Sequence, residues 1–369
     1  MTRLTVLGGG QLGRMLALAA APLGVEVATL DPSPDATARA VSDLTVGALD
    51  DVAAARAAAR GSEIVTFEWE GVPASTTRAL AADGWVVRPG TDALEVSQDR
   101  IREKATFAAL GIPVAPHAPV SSRTELVEAV ATFGVPTILK TCRGGYDGKG
   151  QAVIESADDV GTAWDALGPA GTLVLESRIA FDREMSIVAV RAADGEVRTW
   201  PLVENHHRGG ILRTSIAPAP AITPTLQAQA DEYARVLLDH FDYVGVLTVE
   251  LFQVGDTLIA NEMAPRVHNS GHWTIEGAAT SQFENHVRAV LGWPLGSTEV
   301  TAPSVMINCI GALPAPEVLL GLPGVHLHNY AKALRPGRKV GHITVTGPDP
   351  ATLAERTASV RAVLPPAIG

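Results

Sequence analysis

The residues of this chain best suited to chemistry fall into five groups. Residues 140–150 read Lys-Thr-Cys-Arg-Gly-Gly-Tyr-Asp-Gly-Lys-Gly, four glycines within seven positions interleaved with Lys140, Arg143 and Lys149. Glycine lets a backbone take positive φ and approach a ligand closely, and successive amides in such a loop form a concavity for anions. The segment reads as a flexible flap over a polyphosphate, although a glycine-rich hairpin turn with solvated charges has the same composition. It is not G-x-x-x-x-G-K-[ST], because Gly150 and Gln151 follow Lys149. The second group is Glu250 with Asn261 and Glu262, hard oxygen donors suited to Mg2+ on the two arms of a hairpin turning at Gly255-Asp256. Side chains alternate in a strand, so a two-residue loop pairs Glu250 with Asn261 and sends Glu262 to the opposite face. If both acids hold one metal, an odd loop or a bulge is required, and a bulge is expected. A surface hairpin with two solvated acids is the alternative.

Residues 264–273, Ala-Pro-Arg-Val-His-Asn-Ser-Gly-His-Trp, are dense in hydrogen-bonding side chains without apolar periodicity, as a substrate-facing loop is. His268 and His272 lack the H-E-x-x-H context of a zinc site. Lys332, Arg335, Arg338, Lys339 and His342 crowd eleven residues around Pro336-Gly337, an anion site or a solvated basic turn. The last group is Gly8-x-Gly10-x-x-Gly13 with Asp31 further on, the fingerprint of a dinucleotide turn. Such a turn seats an anion on a helix N-terminus, and both a nicotinamide cofactor and a sugar phosphate fit that description.

Alternating strands and helices must carry these groups. Residues 4–7, 25–30, 64–67 and 85–87 read as strands and 14–21, 53–60 and 73–81 as helices, one doubly wound parallel-sheet domain over residues 1–90. Glu68, Trp69 and Glu70 follow the third of these strands, at the carboxyl end where open α/β sheets place ligands. One helix is expected from Thr91 or Asp92 to Leu110, with Arg100 and Lys104 on a solvated face. Ser122 caps the next helix, the flap links two strands, and residues 172–176 and 184–190 are further strands. Residues 205–210, Asn-His-His-Arg-Gly-Gly, read as a loop, 225–238 as a helix, and the chain beyond 296 as a small β-rich tail.

With 369 residues, 46% apolar and 19% charged, the chain is long enough for two or three packed domains. A formal net charge of −11 disfavours a nucleic-acid partner and leaves any anionic ligand to local cations. Cys142 and Cys309 match no metal or redox spacing and read as reduced thiols of a cytoplasmic protein. The start of the chain lacks the apolar region of a secretion signal, and no apolar run is long enough for a membrane span.

Taken together, Asp99-Arg100-Ile101-Arg102-Glu103-Lys104, Leu110-Gly111-Ile112-Pro113, the flap, the strand exit at Glu176 and Glu250 with Asn261-Glu262 resemble an ATP-grasp domain. Residues 8–15, 141–150, 210–215, 261–273, 303–308 and 335–342 resemble, more specifically, the N5-carboxyaminoimidazole ribonucleotide synthetase family over nearly the whole chain. That resemblance implies three parts: a Rossmann-like pre-ATP-grasp domain (1–90), an ATP-grasp domain (91–295, with a lid near 115–180) and a small β-rich C-terminal domain (296–369). It implies a purine-biosynthesis ligase, a cytoplasmic homodimer joining bicarbonate to 5-aminoimidazole ribonucleotide with ATP and Mg2+ (or Mn2+). Carried over by position, Arg100, Lys140, Gly145, Tyr146, Asp147, Gly148, Lys149, Gly150 and Gln151 meet the ATP phosphates. Glu176, Ser177, Arg178 and Ile179 line the adenine pocket, with Glu184 at the ribose and His207 also on the nucleotide. Glu250 and Glu262 hold the metal, with Asn261 beside them. Tyr146 and Asp147 face the aminoimidazole, and Arg266, His268, Asn269, Lys332, Arg335 and Arg338, with Gly10, Gln11, Leu12 and Glu68, bind the ribonucleotide or its carboxylated form. Tyr146, Asp147, Arg266, Lys332 and Arg338 form the catalytic set. The chain stops soon after Pro365-Pro366, short of a terminal strand that the resemblance implies. Rival readings are a formate-dependent glycinamide ribonucleotide ligase, a nicotinamide-dependent dehydrogenase and a non-catalytic nucleotide-binding module.

Overall fold

A computed structural model of the chain describes residues 2–145, 149–365 and 368. Tyr146, Asp147 and Gly148, three of the expected flap residues, lie outside the described residues.

Five short strands pair in parallel at the N-terminus: β1 (Arg3–Leu7), β2 (Glu26–Asp31), β3 (Asp43–Val46), β4 (Ile64–Phe67) and β5 (Val86–Val87). Their order is β3-β2-β1-β4-β5. Helices cover both faces, so the inner strands are apolar on both sides. Leu4 and Val6 pack with the helix Gln11–Ala20, while Leu7, Val65 and Phe67 pack with Ala55 and Ala58 of the helix Val52–Ala58. The order reverses between β1 and β4, and the loops leaving those two strands, residues 8–10 and 68–70, share the crevice that reversal opens.

The expected single helix from residue 91 to 110 is two helices, Thr91–Ser97 and Arg100–Ala109. Asp99 breaks it: its carboxylate accepts from the amides of Ile101 and Arg102 and starts the second helix afresh. The lid follows as four antiparallel strands, β6 (His117–Val120), β7 (Thr137–Thr141), β8 (Gln151–Ile154) and β9 (Leu173–Ser177), ordered β6-β9-β7-β8. Two helices, Arg123–Phe133 and Asp159–Leu167, close its core around Leu126, Val130, Leu139 and Leu175.

The remaining strands among the described residues form one sheet: β10 (Arg183–Arg191), β11 (Val197–Thr199), β12 (Val203–Arg208), β13 (Ile211–Ala217), β14 (Gly245–Val254), β15 (Thr257–Ala264), β16 (Ser304–Ile310), β17 (Val325–Asn329) and β18 (Lys339–Thr346). It runs β15-β14-β10-β12-β13-β16-β18-β17, with β11 on β10. Residues 205–208, expected in a loop, are the end of β12, and Gly209-Gly210 is the turn of its hairpin with β13. Polar side chains are tolerated there because the strand's inner face is a hydrogen-bonded network rather than an oily one. Asn205 donates to Ser186 Oγ (2.9 Å), and its carbonyl accepts from Ser215 Oγ (2.7 Å). The C-terminal strands β16–β18 continue this sheet through the β13–β16 pairing. They have a core of their own, including Ile343, Val345 and Leu353, with a helix at Pro350–Val363 that the pattern of the tail did not suggest.

Candidate active site

A cleft of about 680 Å³ lies where the lid faces the central sheet, and it reaches the crevice of the N-terminal domain. Lys149 and Glu262 both line it, so flap and acids share one cavity.

The metal-type acids come together through the irregularity that the strand parity requires. From Val254↔Thr257 to Leu251↔Ala260 the β14–β15 register is regular, and then Glu250 pairs with Glu262, leaving Asn261 as the extra residue of a bulge. Each acid has a partner: Arg100 Nη1 lies 3.0 Å from Glu262 Oε2, and His268 Nε2 lies 3.2 Å from Glu250 Oε1. Burial pushes Glu250 up, but the hydrogen bond and charge of His268 outweigh it and hold the carboxyl below its ordinary range. Behind the bulge, Glu103 accepts from the Met263 amide at 2.7 Å. Burial beside the Glu262 charge pushes Glu103 up to about 8, so it stands as a neutral acid at neutral pH.

Lys104 is not on a solvated face. Its side chain is 1% exposed and its Nζ sits 3.2 Å from Glu176 Oε2, an oxygen that Lys140 Nζ also meets at 2.9 Å. The helix Arg100–Ala109 is wedged between lid and central sheet, which the sequence pattern could not register. Lys140, Gly145, Lys149, Gln151, Glu176, Ser177, Arg178 and Ile179 line the lid side of the cleft, and Gly150 lies just off it, its carbonyl accepting from the Thr141 amide at 2.9 Å. Arg178 turns its guanidinium outward to Glu155 (2.8 Å). Glu184, His207, Asn261, Glu262 and Glu250 line the opposite wall. His207 Nδ1 meets Glu184 Oε2; burial pushes the imidazole down, but that bond and the Glu250 and Glu184 charges raise it overall. Phe181 and Phe252, unforeseen, stack at 4.7 Å on this wall. An alternation of Phe252 with Glu250 on β14 was the available signal.

Toward the N-terminal domain, Arg266, His268, Asn269, Gln11, Leu12 and Glu68 line the same cavity. Arg266 pairs with Glu70, which the sequence located but did not assign. Asn269 and Asn308 exchange amide hydrogen bonds at 3.1 and 2.6 Å. Lys332 Nζ reaches Gln11 Oε1 from outside the lining, and burial pushes its amine down to about 8 against the pull of Glu68. Arg335 is exposed and Arg338 donates to the Ala333 carbonyl (3.3 Å), so neither reaches the cleft lining in this arrangement. Lys339, a member of the same basic cluster to which the resemblance assigns no role, does.

The glycine-rich turn is already occupied. Glu68 accepts from the amides of Gly10 and Gly13, both at 2.7 Å, and Asp31 accepts from Gly9 at 2.9 Å. Burial pushes Glu68 above its ordinary value, with the amides and Lys332 pulling against it. Internal carboxylates therefore stand where a dinucleotide pyrophosphate would sit, which removes the geometric basis of the dehydrogenase reading. Of this turn, Gln11 and Leu12 rather than Gly10 face the cleft.

Comparison with known proteins agrees with this geometry. A ribonucleotide synthetase preATP-grasp domain model matches residues 1–98, an ATP-grasp domain model residues 105–283, and a phosphoribosylaminoimidazole carboxylase C-terminal domain model residues 304–356. The N5-carboxyaminoimidazole ribonucleotide synthase of Pseudomonas aeruginosa is 48% identical over 362 residues, covering 98% of this chain and 99% of that one. The crystal structure of the synthetase from Thermus thermophilus superimposes with a TM-score of 0.94 at 50% identity, over 98% of both chains. The Aspergillus clavatus synthase in complex with ADP and 5-aminoimidazole ribonucleotide does so with 0.90 at 33% identity, again over 98% of both. A cleft between lid and central sheet, with paired acids on one wall, thus sits on the fold of enzymes whose sequences match from end to end: the chain belongs to the N5-carboxyaminoimidazole ribonucleotide synthase family.

Proposed function

We propose that this chain is an ATP-grasp ligase that joins bicarbonate to the exocyclic amine of 5-aminoimidazole ribonucleotide. The products are N5-carboxyaminoimidazole ribonucleotide, ADP and phosphate, in purine (IMP) biosynthesis. The observation that carries this reading is the shared cavity: Lys140, Lys149 and the Glu250/Glu262 pair line one part of it and Arg266, His268 and Asn269 another. The Aspergillus protein's complex with ADP and the aminoimidazole nucleotide supports the same assignment.

In this reading Ser177 to Ile179 and the Phe181–Phe252 stack receive adenine, Glu184 and His207 the ribose, and Arg100, Lys140, Lys149, Gln151 and the flap amides the phosphates. Glu250 and Glu262 would hold Mg2+. The fit is good: two facing ionisable carboxylates leave the other ligand positions to phosphate and water, as Mg2+ prefers. When bound, the ion would neutralise charge on the transferring phosphoryl group. A bicarbonate oxygen attacks the γ-phosphorus and ADP leaves. The resulting carboxyphosphate releases phosphate and CO2 inside the closed site. The amine nitrogen then bonds to the CO2 carbon and gives its proton to Asp147, which the sequence puts on the flap, or to the departing phosphate. A closed flap keeps water from the carboxyphosphate. Lys332, on Gln11, takes the nucleotide's phosphate, with Arg335 and Arg338 adding positive charge on the same loop. A cytoplasmic homodimer is part of the proposal; no described helix is long and apolar enough to cross a membrane.

The test is ADP formation that requires both bicarbonate and 5-aminoimidazole ribonucleotide. ADP release driven instead by formate and glycinamide ribonucleotide would replace this reading.

A further inference from the structure

Glu176 Oε2 is shared by two ammonium groups of different standing. Lys140 lines the nucleotide cleft, whereas Lys104 is 1% exposed, does not line it, and adds a 3.4 Å bond to the Asn261 carbonyl. One carboxylate needs one counter-ion, so the pair holds a positive charge in excess, poised for an anion. If Lys140 leaves Glu176 to meet phosphate, a buried carboxylate stripped of its only partner would be costly. Lys104 prevents that outcome because its buried amine has no route to the ligand. It lies one turn beyond Arg100, whose guanidinium holds Glu262, so a single helix face ties the lid strand β9 to the acid-bearing hairpin.

We propose that Lys104 is a positioning residue, the standing counter-ion of Glu176 that releases Lys140 to follow the nucleotide's phosphates. The inference rests on the reading of this cleft as the ATP site. It separates two lysines that share one carboxylate into a fixed and a mobile role.

Calorimetric titration of the full chain with Mg-ATP and with adenosine tests it, using Lys104→Met, Lys104→Arg and Lys104→Met/Glu176→Gln. With Met, Lys140 is the one ion-pair partner left to Glu176 among the described residues and is retained by it. ATP affinity should fall by about tenfold or more while adenosine affinity changes by less than about threefold. Lys104→Arg should bind ATP within about threefold of the parent; in the double variant, with no carboxylate to hold Lys140, the ratio of ATP to adenosine affinity should return to within about threefold of the parent's, whatever the loss of Glu176 does to the adenine pocket itself. Equal losses for ATP and adenosine, or an unchanged ATP affinity in Lys104→Met, overturn the proposal. Should Lys104→Met fail to fold, the double variant decides by its ATP-to-adenosine affinity ratio, and a ratio more than about tenfold below the parent's overturns the proposal. A parent chain that binds no ATP would instead sink the reading of the cleft, and this inference with it.

Discussion

Glu250 and Glu262 face each other across the β14–β15 hairpin because Asn261 is the surplus residue of a bulge. Without it, the two-residue turn would oppose Glu250 to Asn261 and direct Glu262 away from the cleft. The first prediction follows. Glu250→Gln and Glu262→Gln should each lower bicarbonate-dependent ADP formation by about 100-fold or more, the scale of removing a group that stabilises transferring charge. Circular dichroism should remain that of the parent. A turnover within a few-fold of the parent in Glu262→Gln would remove the acid pair from the mechanism.

Asp147, on the flap segment, is expected to handle the amine proton. Asp147→Asn should keep ATP binding and lower carboxylation by about 100-fold, within the range of general acid–base contributions. Parallel ATP titration and product assay separate the two.

Lys332 sets a pH limit. An amine is charged below its pKa, and burial pushes this one down to about 8. The free enzyme should therefore lose its hold on the nucleotide's phosphate as pH rises through about 8, seen as a fall in kcat/KM for the ribonucleotide. Lys332→Met should lower kcat/KM at pH 7 and abolish that alkaline limb. A limb that persists in the variant assigns it to another group.

His286 sets a limit on the acid side. Its Nδ1 accepts from the Val246 amide at 3.1 Å and its Nε2 meets Thr66 Oγ1 at 2.8 Å, and burial pushes it down to about 3. The unfolded imidazole takes its proton near pH 6.5, while the folded one resists. The resulting stability is present above pH 6.5 and drains away as pH falls toward 3, by about 2 kcal/mol between pH 7 and 5. Burial lowers His272 and His342 in the same direction. Urea denaturation of the parent and of His286→Gln at pH 7 and 5 separates this group from Glu103, whose raised carboxyl acts in the opposite sense: the parent should lose about 2 kcal/mol more than the variant over that span.

The sequence made legible whatever depends on local spacing. The cap at Ser122, the parallel N-terminal sheet and the need for a bulge at the acids all follow from capping chemistry, strand–helix alternation and strand parity. What it hid depends on partners distant in the chain. Lys104 looked solvated because only the fold brings Glu176 to it. The His206-His207 stretch looked like a loop because its strand pairs with β10 and β13 through polar residues. The glycine turn looked ready for a cofactor because Glu68, its occupant, comes from a different strand. The resemblance carries Arg335 and Arg338 to the ribonucleotide, but their loop leaves them off the cleft lining.

The pairing of β13 with β16 has a practical corollary for anyone dissecting this enzyme. A version ending before Ser304 would strip the neighbour from Ile211–Ala217 and leave a bare row of amides and carbonyls along the rim of the sheet. Such a fragment invites edge-to-edge self-association, so its insolubility would say nothing about whether the nucleotide-binding portion is catalytically self-sufficient.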